Sequence, residues 1–207
     1  RLNKMVARVV ETTLPLLYLN MVGAQDDQVF DGGTFALNRG GRLAIKLPLF
    51  EEALEHIVLE ESDMGWNIIK GELAKVPCDK ELDYHAMVMG LRDYCKKSGF
   101  EKVVLGLSGG IDSALVAVIA SDAIGSANVR SIMLPSPYTS QTSLIDATDL
   151  VDNLGCKSDT LPINDSLTAI DKTLSSTFEG RKIDLTEENI QSRLRGLLLM
   201  AVSNKFG

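Results

Sequence analysis

The chain has 207 residues, 45% of them hydrophobic and 24% charged, the balance of an ordinary globular protein and not of a disordered one. A net charge of −7 without a long basic run argues against a nucleic-acid surface, because phosphate backbones demand clustered Lys and Arg. The longest unbroken apolar run, Ala114 to Ala120, is far short of the roughly 18 residues a membrane span needs, so no membrane segment is expected.

Residues 1 to about 13 carry helical apolar spacing (Leu2, Met5, Val6, Val9, Val10), and Leu16 to Val22 reads as a buried strand after Pro15. A polar turn at Ala24 to Asp27 leads into a strand at Val29 to Asn38, broken by Gly32 and Gly33. Asn38-Arg39-Gly40-Gly41 is a hairpin turn, and Leu43 to Leu47 is its returning strand. From Glu51 to Asp63 six acids occur with no Lys or Arg, which predicts a solvated helix face and connector. Trp66 to Pro77 completes that linker. A helix follows from about Asp79 to Lys97, its apolar stripe supplied by Leu82, Ala86, Met89, Leu91 and Tyr94.

Beyond it, strands at 103–107, 129–134 and 157–162 alternate with helices at 114–124, 142–154 and 164–177, a pattern that predicts a parallel sheet with right-handed crossovers. Phe178 to Lys182 reads as a loop, and a last helix starts near Thr186, with Glu187 and Glu188 complementing its dipole. The chain starts at Arg1 in a stretch already helical in pattern and stops at Gly207 after an apolar helix, so both ends read as cut and no signal peptide is expected.

Chemistry concentrates between the first parallel strand and its helix. Val103 to Leu107 is an aliphatic run, followed by Ser108-Gly109-Gly110-Ile111-Asp112-Ser113. The glycines admit unusual dihedrals and let a bound group approach the backbone, while the free N–H groups of the following helix point back at them. A phosphate or pyrophosphate fits there. A P-loop would place a Lys-Ser/Thr pair after its last glycine, and no lysine follows here. Asp112 beside phosphates is repulsive unless a cation lies between them, which implies Mg²⁺ with Asp112 as its ligand. Alternatively, Asp112 only caps the helix.

Cys78, Cys95 and Cys156, an odd number without Cys-x-x-Cys spacing, read as free thiols in a reducing compartment, which predicts a cytoplasmic location. His56 and His85 lie in polar stretches and read as surface residues, so a His/Cys metal site is not expected.

The string Ser108 to Ser113 resembles the signature of the ATP pyrophosphatases, which split ATP to AMP and pyrophosphate while adenylating a substrate oxygen. Tyr94 through Lys97, Gly99-Phe100 and Val104 to Ser108 look like the NAD synthetases of that class, and Glu188-Asn189-Ile190-Gln191-Ser192-Arg193-Leu194-Arg195-Gly196 resembles their deamido-NAD-binding helix. Pro15 to Asp31, with Tyr18-Leu19-Asn20, Gln25-Asp26 and Phe30-Asp31-Gly32, resembles the end of the nitrilase-like glutaminase domain of the glutamine-dependent members.

The resemblance implies an α/β chain in three parts. Residues 1–50 would be the C-terminal part of a nitrilase-like α-β sandwich, 51–78 an acidic connector, and 79–207 the N-terminal part of a parallel-sheet ATP pyrophosphatase domain, of the adenine nucleotide alpha hydrolase-like kind. The family reaction is ATP-dependent amidation of deamido-NAD⁺ with glutamine-derived ammonia. ATP would then lie on Gly106, Leu107, Ser108, Gly109, Gly110, Ile111, Asp112 and Ser113, with Met133, Leu134 and Ser136 bordering adenine and ribose.

Deamido-NAD⁺ would meet Asn189, Arg193, Arg195 and, through a partner subunit of a homo-oligomer, Tyr94. Asn189 and Arg193 are four apart on one helical face, and Arg195 projects elsewhere. Packing for Tyr94 and a solvated charged helix for Asn189 to Arg195 are the alternatives. The glutaminase's Cys-Glu-Lys set would lie upstream, since no cysteine precedes Cys78. No catalytic residue is therefore assigned here, and the family's later Thr, Glu and Lys motif would follow Gly207. Two further possibilities stand: another adenylating amidotransferase of the GMP synthetase type, or a truncated non-catalytic form acting in ligand binding or assembly.

Overall fold

A computed structural model describes residues 2–69 and 71–206, so Arg1, Lys70 and Gly207 lie outside the described residues. The chain forms two units, Arg1–Tyr94 and Cys95–Gly207.

In the first unit, α1 (Leu2–Thr12) is the expected opening helix. Instead of one strand over 16–22 there are two, β1 (Leu16–Tyr18) and β2 (Val22–Gln25), and β2 forms an antiparallel hairpin with β3 (Gln28–Asp31). Asp26, with φ +52°, lets the chain reverse inside the stretch read as a polar turn. The Gly32-Gly33 break separates β3 from β4 (Phe35–Asn38), which pairs with β1 on one side and with β5 (Arg42–Lys46) on the other.

β4 is buried along its whole length, because its two faces serve two cores. Phe35 and Leu37 pack with Val9 of α1, whereas Ala36 joins Ala44, Ile45 and Ile68. At about 25 cal/mol per Å² of apolar surface, such a doubly covered strand anchors its unit.

The acidic segment departs from expectation. No helix forms over 51–63; Leu59–Ser62 is β6, paired antiparallel with β7 (Gly65–Ile68). The cause is a tertiary bond: buried Asn38 accepts from the Ile68 N–H at 2.7 Å and donates to the Ile68 carbonyl at 2.8 Å. The stretch read as linker also adds to the sheet, since Lys46 N–H donates to Glu72 O and Ala74 N–H donates to Lys46 O. α2 (Asp79–Ser98) then runs on into the second unit.

The second unit holds a parallel sheet in the order β10-β9-β8, built from β8 (Val103–Leu107), β9 (Val129–Met133) and β10 (Lys157–Thr160). The predicted last strand is two residues shorter than read, ending at Thr160, after which the Leu161 N–H still reaches Met133 O. α3 (Ile111–Ile124) and α4 (Gln141–Leu154) are the crossovers and touch each other. Two crossovers in the same direction place them on one face. α5 (Asn164–Leu174) and α6 (Leu185–Phe206) pack together, with Ile163 and Leu194 on Ile132 and Leu134. α5 stops at Leu174, not 177, where tight turns to Thr177 and Phe178 close on the Leu174 carbonyl.

Candidate functional site at the carboxyl ends of β8 and β9

The turn after β8 is braced by two hydroxyls. Ser113 Oγ donates to Gly110 O at 3.0 Å and accepts from the Ser108 N–H at 3.2 Å; Ser108 Oγ accepts from the Gly110 N–H at 3.2 Å and lies 3.0 Å from Ser113 Oγ. With its own proton on Gly110 O, Ser113 is the acceptor in that last contact. The loop is thus held in shape by its own side chains.

α3 begins at Ile111, earlier than the sequence indicates, with Gly110 at its N-cap position and no side-chain cap bond. Asp112 and Ser113 therefore sit inside the first turn, where N–H groups have no intrahelical acceptor and the dipole favours negative charge. Asp112 is exposed, and its carboxylate bonds to none of the described residues, so the capping alternative has no hydrogen bond behind it.

Gly109 has φ +80°, and a Cβ there would overlap Ser143 O and come within 2.7 Å of Ser143 Cα. The first turn of α4 thus packs directly on the glycine, and a side chain would push the two apart. α4 is itself fixed by Ser140, whose Oγ accepts from the Ser143 N–H at 3.1 Å. The loop before it is a tight turn in which the Ser136 N–H donates to Thr139 Oγ1 at 2.9 Å.

Between these elements lies a cavity of about 420 Å³. Gly106, Leu107, Ser108, Met133, Leu134 and Arg195 border it, which brings together residues chosen separately for nucleotide and dinucleotide. Arg195 Nε donates to Leu134 O at 3.2 Å. Gly109, Gly110, Ile111, Asp112 and Ser113 form the adjoining turn, and Ser136 is half-buried in the next loop. Asn189 and Arg193 stand exposed on α6 and do not line the cavity, and Tyr94 is exposed on α2 in the first unit. Thr139 and Ser143 also line it and were missed. Thr139 lay in the loop before α4, within reach of a sequence reading, but the role of Ser143 rests on a backbone contact that leaves no trace in residue type.

Upstream of α6, Asp184 Oδ1 accepts from the Thr186 N–H at 2.8 Å while Glu187 Oε2 accepts from the Asp184 N–H at 2.8 Å, a reciprocal capping box. Hydrogen bonds from the Thr186 side chain, then from its N–H, hold the Asp184 carboxyl below its ordinary value of 3.8.

The NAD synthase profile matches residues 83–207, more than half of the chain and all of this site. The chain belongs to the NAD synthase family. Among relatives of this NAD synthase chain, the glutamine-dependent NAD(+) synthetase of Rhodobacter capsulatus is 59% identical over 201 residues, covering 97% of this chain and 36% of that protein. That of Synechocystis is 47% identical over 196 residues, covering 94% and 35%. A solved glutamine-dependent NAD+ synthetase from Acinetobacter baumannii, in complex with ADP, superposes with a TM-score of 0.94 at 39% identity, covering 100% of this chain and 39% of that one. The chain therefore spans little more than a third of the length of these relatives.

Proposed function

We propose that the chain is the middle of a glutamine-dependent NAD⁺ synthetase and carries the ATP-adenylating half of its synthetase site. On this reading residues 1–50 belong to the glutaminase part, 51–78 connect, and 79–207 open the synthetase part. The observation that carries it is the Ser108–Ser113 turn, braced by its own hydroxyls and opening with Leu134 and Arg195 onto one cavity. Support comes from the relatives, both named as glutamine-dependent NAD(+) synthetases, and from the ADP held by the Acinetobacter protein.

In the proposed reaction a carboxylate oxygen of deamido-NAD⁺ attacks the α-phosphorus of ATP, and the bond to the bridging oxygen breaks to release pyrophosphate. Ammonia then attacks the acyl carbon, and AMP leaves with the electron pair. The N–H groups of Ile111, Asp112 and Ser113, which open α3 and have no intrahelical acceptor, would meet the charge that builds on departing pyrophosphate, so little reorganisation is needed. Holding the two substrates in line supplies much of the remaining acceleration.

Mg²⁺ suits Asp112. The described residues contain no group of three or more His, Cys, Asp or Glu able to cage a metal, but Mg²⁺ typically takes one or two carboxylates and completes its shell with phosphate oxygens and water. When bound it neutralises phosphate charge. Deamido-NAD⁺ is assigned to the exposed Asn189–Arg193 face, with Tyr94 contributed across a homo-oligomer, in a cytoplasmic enzyme. Ammonia comes from elsewhere in the full protein, because residues 1–77 contain no cysteine to act as nucleophile.

The test uses the full-length product of the gene with ATP, Mg²⁺, deamido-NAD⁺ and ammonium. NAD⁺ and AMP are expected in equal amounts. AMP release driven by a purine nucleotide in place of deamido-NAD⁺ would move the chain to the GMP synthetase type.

A further inference from the structure

Among the residues lining the cavity, Arg195 alone is charged. It is partly buried, and its one bond to the described residues runs from Nε to Leu134 O at 3.2 Å; no carboxylate among them pairs with it. A guanidinium carries five N–H donors, so the four on its Nη atoms remain for something else. A partly buried cation without a counter-ion is less favourable than a paired one, and a forked donor is shaped for a phosphate or carboxylate. The bond to Leu134 also restricts the side chain, so part of the entropy of holding it is already lost before a ligand arrives.

Its neighbours say which anion. Ser108, the first residue of the phosphate turn, borders the cavity on one side, and Leu134, at the proposed adenosine edge, borders it on the other. Asn189 and Arg193 occupy an exposed face, Arg193 about 200° round the helix from Arg195. We propose that Arg195 is the counter-ion of the α-phosphate of ATP, the phosphate between the turn and the adenosine, and that it does not bind deamido-NAD⁺. This rests on the function proposed above and moves Arg195 from the dinucleotide to the nucleotide. It puts a fixed positive charge beside the phosphorus that is attacked.

AMP keeps the α-phosphate and lacks the other two, so calorimetric titration of full-length protein with AMP, a non-hydrolysable ATP analogue, adenosine and deamido-NAD⁺ separates the possibilities. Arg195→Ala should weaken AMP and the analogue about tenfold to hundredfold, the range for losing a charge-assisted hydrogen bond, and leave adenosine and deamido-NAD⁺ within about twofold. Arg195→Gln and Arg195→Lys, each checked by thermal melting, carry the test should the alanine variant fail to fold, with the larger loss for Gln and the smaller for Lys. Loss confined to deamido-NAD⁺, or unchanged AMP affinity, would overturn the assignment. Failure of the unaltered protein to bind either ATP analogue or AMP would instead remove the proposed function beneath it.

Discussion

Gly109 and Gly110 are adjacent and alike, yet their surroundings make different demands. At Gly109 a side chain meets both the left-handed backbone, roughly 1–2 kcal/mol, and the Ser143 carbonyl, which is backbone and cannot swing away. At Gly110 the backbone is extended at φ −86°, and a Cβ would lie 3.3 Å from the Ser108 hydroxyl. Gly109→Ala should therefore destabilise by about 2 kcal/mol or more, and Gly110→Ala by less than about 1 kcal/mol, read by thermal unfolding of the purified chain. Equal losses would mean that α4 does not rest on the turn.

Asp112 makes the complementary case. As an exposed first-turn residue whose carboxylate bonds to none of the described residues, Asp112→Asn should change stability by no more than about 0.5 kcal/mol, yet lower adenylation by the full-length enzyme by about tenfold or more. Unchanged activity at saturating Mg²⁺ would return it to a helix-end charge. The shape of the turn was legible in the sequence because glycine betrays backbone conformation by its identity. The place of Arg195 in the cavity was not legible, since helical spacing says which residues share a face and not what that face meets.

At the scale of elements, the hairpin β6–β7 is where local composition misled. Six acids suggested a solvated helix, but the backbone of Ile68 is captured by a buried asparagine thirty positions earlier. Asn38→Ala should leave a buried N–H and carbonyl unpaired and cost about 2–4 kcal/mol in chemical denaturation. A loss below about 1 kcal/mol would show that water replaces the amide. The short amphipathic helices α1 and α5 and the alternation around β8, β9 and β10 were readable because burial of one face imposes a period; pairings between distant strands impose none.

The start of α6 offers a pH test. Because the folded Asp184 carboxyl titrates below its ordinary 3.8, its contribution is fully present above that value and is lost as pH falls through the lowered one. Protection of the Thr186 amide, its exchange rate relative to an unstructured peptide at the same pH, should therefore fall on acidification below 3.8 and stay constant between neutrality and that point. Asp184→Asn should flatten the profile. Protection already lost near neutral pH would locate the sensitive group elsewhere.

For the whole molecule, the reach of this chain is bounded by the third of its relatives' length that it spans. Without a cysteine before Cys78, the purified chain should show only background ammonia release from glutamine, and turnover abolished by substituting Cys78, Cys95 or Cys156 would contradict that. The central claim is that the cavity at the ends of β8 and β9 is where ATP adenylates an acid. Exchange of radiolabelled pyrophosphate into ATP by the full-length protein, with ammonia and glutamine withheld, reads that step alone. Exchange that requires deamido-NAD⁺ and Mg²⁺ and falls by about tenfold or more in Asp112→Asn is the predicted result; exchange indifferent to deamido-NAD⁺, or none while ATP is bound, would contradict it.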